Sequence, residues 1–558
     1  MAPYIYTKGV KMRGSRLYIL LGLIILSSVF LRLIPALRYP YPITDDSLKD
    51  YQQARYIIEN KEINPKSYHG FATFPIFHIL IAFLNYTTTI DALTLFRFIP
   101  SIFAGVGVLF FFLFVRDLTK DDRTSLIAAS IYGSWFASVW WEAISVRESL
   151  ALPVFSIILY LCQKYLNSKN NGWLSLFIIF LVSLIPMHHW TSLMMFITLI
   201  IFLIYYNFDR GLIKVIILFA TLMLIYWYTK FPYIISLTAR AAFALLNINF
   251  TLFAEPPPAL PSELERPVAM LQVSAIDYLL LIATILMCVF FLAIVLKGNR
   301  FKKSFKLKNL ENITFLTNLL SLFIIILFFI YSKSWTVFEY PIQIFINPFL
   351  IGFFALPGFV MLIYEKKLKF IGFLGLWLSI LITGFTLHKF TSNFDVNRIT
   401  EFLIYPLAIL VANRLKYFRN GFLFPLIIVL FLSSTFAYPD VFVYGKPLPI
   451  DSPFSDIRSY LRFVPPEGIA AMEWAKSKNI SLESDNRYIQ TFYETFYLQN
   501  GTKWYLHVSD YDLLVEKRLE RINEPILGSL LNSSKRLAEK NYTLIFYNGW
   551  SYIYKADD

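Results

Sequence analysis

The sequence predicts a polytopic α-helical membrane protein of about thirteen transmembrane helices, with a small C-terminal external α/β domain. Three observations carry this. Of the 558 residues, 57% are hydrophobic and 16% charged, more apolar surface than a soluble domain hides. The apolar residues fall in runs that reach the ~18–20 residues needed to cross a bilayer as helix. The connections between runs alternate between basic and acidic.

The first run, 18–36, is too long for the core of a cleavable signal and has no small-residue cleavage site, so it reads as a retained anchor. After it, TDDSLKDYQQARYIIEN (44–60) has the pattern of an amphipathic helix. The stretch FATFPIFHILIAFLNY (71–86) is apolar but short and carries Pro75 and His78, and it is expected to lie in or on the membrane surface. Further spans are expected at 94–115, 125–140, 149–163, 173–187, 190–207, 212–229, 275–296, 313–332, 342–363, 368–386, 400–414 and 421–437.

With 71–86 not crossing, one side of the membrane receives KGVKMRGSR, RDLTKDDR, QKYLNSKNNG, NFDRGLIK, KGNRFKKSFKLKN, EKKLK and NRLKYFRNG. The other receives TDDSLKD, WWEAISVRE, FAEPPPALPSELERP and SNFDVNRITE. The positive-inside rule then places the N-terminus in the cytoplasm and the C-terminus outside the cell membrane. Glycosylation sequons agree: Asn85, Asn249, Asn479, Asn500, Asn532 and Asn541 fall outside, and Asn312 does not. The excess of 51 Lys+Arg over 37 Asp+Glu is accounted for by cytoplasmic loops, so no nucleic-acid partner is expected. Cys162 and Cys288 both lie inside apolar runs, which leaves neither a disulfide framework nor a cysteine-based metal site.

From residue 438 the composition changes, and 438–558 reads as an extracytoplasmic α/β domain after the transmembrane domain, 1–437. Within it, 465–478 and 524–540 read as short helices. YTLIFY-NG-WSYIYK (542–555) reads as a hairpin closed by Asn548-Gly549. The domain has no dinucleotide fingerprint, phosphate-binding loop or zinc spacing.

The external side collects the ionisable residues, which are costly at a membrane unless paired or functional. They are Asp45, Asp46 and Asp50, then Tyr68-His69, Trp140-Trp141-Glu142, Arg147-Glu148, His188-His189 and Glu255, and finally Lys389, Asp395, Arg398 and Glu401. Each has a structural alternative. Thr44 is a candidate helix cap that makes the acidic pair a complement to the helix dipole. Asp46 and Asp50, four apart, repel mildly on one helix. Glu142, Arg147 and Glu148 can pair among themselves, and Arg398 can bridge Glu401 or Asp395. The 45-residue segment 230–274, with Pro256 to Pro258, is a linker or a lid.

A first span, an external acidic pair, an amphipathic helix, a Pro-containing juxtamembrane stretch, a span opening on Arg97 and an external Arg147-Glu148 follow one another in that order. This arrangement resembles the GT-C superfamily of membrane glycosyltransferases, best over 15–165. There ITDDSLKDYQQARYI resembles the first-loop motif, and SVRESLALPVFSIILYL the second-loop region. About thirteen spans with an external C-terminal domain resemble the oligosaccharyltransferase catalytic subunit, but the WWDYG-type signature and an obvious D-x-D or D-x-H motif are missing. A single-sugar transferase is therefore expected rather than en bloc glycan transfer to protein.

The resemblance implies a polyprenyl- or dolichyl-phosphate-linked sugar donor entering from the membrane lipid. The acceptor, a glycan, lipid or protein hydroxyl, enters from outside. It implies Asp45 as catalytic base, with Asp46 in reserve, since hydroxyl attack on an anomeric carbon needs a carboxylate. The leaving phosphate needs a cation, for which Arg398 is the first choice, then Lys389 and Arg147. Substrate contacts are assigned to Glu142, Glu148, His188, His189, Tyr68, His69 and Glu255. A divalent Mn or Mg ion on Asp45, Glu142 and His189 is a further option. The rival class is a non-enzymatic transporter or flippase of lipid-linked substrate, which would show repeats and midplane charges.

Overall fold

A computed structural model of the protein describes residues 14–38, 41–42, 44–63, 73–230, 275–297, 346–365, 367–387, 396–418 and 420–434, together with Glu473, Ser477 and four strands. The first ten helices are α1 (Gly14–Arg38), α2 (Asp45–Asn60), α3 (Ile76–Thr88), α4 (Ala92–Thr119), α5 (Asp122–Gly133), α6 (Phe136–Ala143), α7 (Arg147–Ser168), α8 (Asn171–Leu184), α9 (His189–Tyr205) and α10 (Arg210–Lys230). Then follow α11 (Ala275–Lys297), α12 (Ile346–Tyr364), α13 (Leu368–Leu387), α14 (Val396–Leu415) and α15 (Asn420–Ser434). Four of these, α1, α4, α7 and α10, are long and apolar enough to cross a membrane. Shorter apolar helices are α3, α8 and α9 and parts of α11, α12, α13 and α15. The chain therefore has the character of a helical membrane protein, while the expected span 313–332 lies outside the described residues.

Helix direction follows from which residues meet. Arg97, in the first turns of α4, donates to the carbonyl of Ala36 at the end of α1. A Cβ on Gly105 would stand 2.5 Å from Val29, so α1 and α4 run antiparallel in close contact, the usual service of glycine between apolar helices. The end of α1 and the start of α4 thus lie together at one end of the pair. α4 and α7 run parallel: Gly107 lies against Pro153, where an added Cβ would sit 3.0 Å from its Cα, and Asp117 pairs with Lys164 at 2.8 Å. α5 and α6 make the return between them.

The expected span 125–140 is divided into α5 and α6 at Ser134–Trp135. The reason is a competing set of partners for the backbone. The Gly133 carbonyl accepts from Arg32 Nη1 at 2.8 Å and Ser28 Oγ at 3.3 Å on α1. The Trp135 indole N–H donates to the Thr400 carbonyl on α14 at 3.0 Å.

The interior of the described residues is mainly aromatic and aliphatic, with the Tyr132, Phe155 and Tyr405 rings in tilted contact between α5, α7 and α14. α9 packs on α13 through Tyr205–Phe373 and Phe202–Trp377. α11 meets α13 through Thr284–Thr386 and Cys288–Thr383.

Two ends result. One holds the end of α1, α2, the starts of α3, α4, α7, α9 and α14, and the end of α10, whose Lys230 carbonyl accepts from Thr73 at 3.1 Å. The other gathers Lys169–Asp209 at 2.5 Å, Lys369–Asn207 at 3.0 Å and Lys416–Glu365 at 2.5 Å. Burial pushes the Glu365 carboxyl up, but hydrogen bonds from Lys367, Lys416 and Tyr417 outweigh it and hold it below the usual range.

In the C-terminal part the strands are β1 (Ser481–Glu483), β2 (Lys503–Val508), β3 (Tyr542–Tyr547) and β4 (Ser551–Ala556), in one sheet of order β1-β2-β4-β3. β1 and β2 are parallel and the other pairs antiparallel. The expected hairpin is β3–β4. Its register is interrupted between Leu544 and Phe546, and Tyr547 stands opposite Tyr552, so the connection is longer than the two-residue turn expected. Of the expected helix 465–478 only Glu473 and Ser477 are described, and 524–540 lies outside the described residues.

Candidate active site at the α2 end

α2 begins at a capping box. The Thr44 hydroxyl accepts from the Ser47 N–H at 3.1 Å, and the Ser47 hydroxyl accepts from the Thr44 N–H at 2.9 Å. This satisfies orphan donors of the first turn and fixes where the helix starts. Asp45 and Asp46 are thereby the first two helical residues, beside the positive end of the helix dipole. Asp46 is exposed, whereas Ser47, Leu48, Asp50, Tyr51, Gln53 and Ala54 form the buried face. The four-residue spacing of Asp46 and Asp50 thus separates an exposed residue from an enclosed one.

Asp50 is the enclosed one, with no exposed surface. Its Oδ1 lies 2.7 Å from His78 Nε2 on α3 and 3.0 Å from Arg147 Nε on α7. Its Oδ2 accepts from the Arg147 backbone N–H at 3.2 Å. An isolated carboxylate buried this way is costly, and a cation with two further donors offsets the cost. Burial pushes His78 below its ordinary pKa, Asp50 opposes this and Arg147 adds to it. The charged imidazole is therefore disfavoured on balance, and its Nε2 faces the carboxylate.

Arg147 extends the cluster. Its guanidinium carbon stands 5.8 Å from the Phe74 ring centre, and Phe74 lies 5.3 Å from the His189 ring. His189 and His188 are 4.9 Å apart. His188 Nδ1 is 2.9 Å from Thr191 Oγ1 and 3.5 Å from Glu148 Oε1, with Glu148 itself buried. α2, α3, α7 and α9 are joined here by one run of polar and aromatic contacts.

Glu142 belongs to a second group. Its Oε2 lies 2.5 Å from Arg32 Nη2 and 2.6 Å from Arg32 Nε, and its Oε1 accepts from Tyr132 at 3.3 Å. Tyr132, Tyr405 and Ser156 continue this network between the helices. The sequence offered pairing among Glu142, Arg147 and Glu148. Each has a partner from elsewhere in the chain: Arg32, Asp50 and His188 in turn.

Of the residues the sequence singled out, Arg147, Glu148, His188 and His189 come together, with Asp46 on the helix that Asp50 anchors. Glu142 stands apart on Arg32. Tyr68, His69, Glu255, Lys389 and the segment 231–274 lie outside the described residues, as do the side chains of Asp45 and Arg398. Arg398 is in the first turn of α14 by its backbone, two residues before the Thr400 carbonyl that Trp135 holds. That puts it at the same end as α2. Among the described residues no three His, Cys, Asp or Glu side chains are grouped to hold a metal ion. The sequence alone did not assign Asp50, His78 or Arg32 to a site. A His on a short apolar helix and an Arg inside a span were the available signals. No protein-family model matches the chain, and no curated protein matches its sequence.

Proposed function

We propose that the protein is a membrane glycosyltransferase of GT-C type. It transfers a single sugar from a polyprenyl- or dolichyl-phosphate-linked donor to an acceptor hydroxyl at the α2 end, read as the extracytoplasmic face. The observation that carries this reading is the gathering of acidic, imidazole and guanidinium groups at one end of a set of apolar helices. A lipid headgroup from the bilayer and a polar acceptor from outside meet at such a place.

The roles follow from the chemistry. Asp45, or Asp46 beside it, takes the proton of the attacking hydroxyl. Arg398, Lys389 or Arg147 offsets the charge that develops on the departing lipid phosphate. The new bond joins the acceptor oxygen to the anomeric carbon, and the bond that breaks joins that carbon to the phosphate oxygen. A divalent ion remains compatible with the acidic pair, but nothing among the described residues builds a site for one.

The test is turnover. Full-length protein in lipid nanodiscs, given a panel of polyprenyl-phosphate sugars, should transfer or hydrolyse at least one, releasing polyprenyl phosphate. Movement of intact donor between leaflets without cleavage would support the flippase reading instead.

A further inference from the structure

The exposed and buried residues of α10 fall on opposite faces. Leu212, Phe219, Met223 and Trp227 are buried. Arg210, Lys214, Ile217, Leu224, Ile225 and Tyr228 are exposed, and at about 100° per residue they share one stripe. α10 is long and apolar enough to cross a membrane, so the apolar part of this stripe faces acyl chains. The helix rises roughly 27 Å from Arg210 to Tyr228, close to the ~30 Å of a bilayer's hydrocarbon core. The two cations therefore stand at the headgroup level of one leaflet, and Tyr228 stands near the opposite interface.

Nothing at this end of α10 offsets those cations. Arg210 and Lys214 are one turn apart, where like charges repel, and the positive end of the helix dipole disfavours both. The first turn of α10 has no acidic residue. The adjacent carboxylate, Asp209, is engaged: its Oδ1 accepts from the Leu212 N–H at 3.0 Å, and its Oδ2 lies 2.5 Å from Lys169 Nζ. Across the α9–α10 turn, Lys369 Nζ is held by Asn207 Oδ1 at 3.0 Å and stands 5.2 Å from the Tyr205 ring centre. Neither of those carries a negative charge, so Lys369 adds to the local excess. Among the described residues Arg210 and Lys214 make no ion pair. The place is also fixed: Gly211 lies so near Tyr165 on α7 that an added Cβ would stand 1.9 Å from its hydroxyl.

We infer that Arg210 and Lys214 hold the phosphate of an anionic phospholipid, whose acyl chain lies along Ile217, Leu224 and Ile225. One anion shared by both cations relieves their repulsion and complements the helix dipole, and the guanidinium fork suits phosphate oxygens. A zwitterionic lipid brings its own ammonium and relieves less. A free phosphate ion neutralises the cations but leaves the apolar stripe below them uncovered. This end of α10 is the one away from α2, which the positive-inside rule reads as cytoplasmic. The site is thus remote from the candidate active site, and it does not depend on the glycosyltransferase reading.

The experiment titrates full-length protein in detergent with phosphatidylglycerol or phosphatidylcholine and reads the affinity of the first bound lipid by native mass spectrometry. Phosphatidylglycerol should bind more tightly than phosphatidylcholine. Arg210→Gln and Lys214→Gln should each weaken phosphatidylglycerol binding by about fivefold, and the double variant by roughly twentyfold, with phosphatidylcholine binding unchanged. Both residues are exposed, so the thermal midpoint should stay near wild type. Lys120, exposed at the same end but beyond α4, supplies the control, and Lys120→Gln should bind phosphatidylglycerol like the wild type. Equal affinity of the wild type for the two lipids, or undiminished phosphatidylglycerol binding in the double variant, would overturn the site. An equal loss in Lys120→Gln would replace it with diffuse surface charge, and displacement of the lipid by inorganic phosphate would replace it with a free-ion site.

Discussion

Arg32 on α1 and Glu142 on α6 face each other at 2.5 Å with neither side chain exposed. Both ions have left water, and what compensates them is each other, Tyr132, and the Ser28 and Gly133 oxygens that accept from Arg32 Nη1. Removing one partner leaves an uncompensated buried charge, which costs about 3–5 kcal/mol. Arg32→Met and Glu142→Leu should therefore each lower the thermal midpoint of the purified protein strongly. The double replacement by apolar side chains should recover much of the loss. Singles that melt like the wild type would show that the pair adds nothing to the fold.

Thr44 is predicted to act on stability alone. Thr44→Ala removes the acceptor for the Ser47 N–H and should cost about 1 kcal/mol, with α2 still formed because its buried face and Asp50 hold it. Denaturation in detergent measures the stability loss, and turnover of the remaining folded protein should be near normal. A large rate loss with intact stability would place Thr44 in the chemistry.

His78 sets the direction of a pH response. Its pKa in the folded protein is below the ordinary value of about 6.5, chiefly because burial disfavours the charged ring, with Arg147 adding to this and Asp50 opposing it. Between those two values the unfolded chain binds more protons than the folded one, so stability rises with pH there. The stabilising contribution is complete above about pH 6.5 and is lost as pH falls below it. Thermal midpoints measured from pH 5 to 8 should drop on the acid side, and His78→Gln should flatten that drop. An acid-side drop unchanged in His78→Gln would assign it to other groups.

The antiparallel contact of α1 with α4 predicts sidedness. A cysteine at Thr88, the last residue of α3 just before α4, and one at Lys120, just after α4, flank its two ends. An impermeant thiol reagent added to intact cells should label Thr88→Cys and leave Lys120→Cys until the membrane is opened. Equal labelling from outside would reject the assignment of the α2 end to the external face.

Most of the helices were legible in the sequence because their signal is local. Run length and hydropathy place α1, α4, α7 and α10, and 71–86 was legible as a short apolar segment, which the structure forms as α3 from Ile76. The Asn548-Gly549 dipeptide located the β3–β4 hairpin, though not its irregular register. The division of α5 from α6 was hidden, because it depends on Arg32 and Thr400, which are remote in the chain. The site was legible in its types of residue and its end of the molecule, not in its pairs. His78, Arg147 and Glu142 find partners 28, 97 and 110 residues away. Periodicity within one helix carries no information about such contacts. For the same reason the spacing of Asp46 and Asp50 read as a repulsive pair, although the fold leaves Asp46 exposed and encloses Asp50 against His78 and Arg147.

Asp45→Asn tests the central claim most directly. The substitution keeps the shape of the side chain at the first position of α2 and removes only the base. Turnover of a polyprenyl-phosphate sugar by nanodisc-embedded protein should fall by about 10²–10⁴, with the thermal midpoint and polyprenyl phosphate binding close to wild type. The corresponding Asp46→Asn change should be milder. An Asp45→Asn protein that folds and turns over at the wild-type rate would contradict the account and leave the acidic pair as a helix-capping feature.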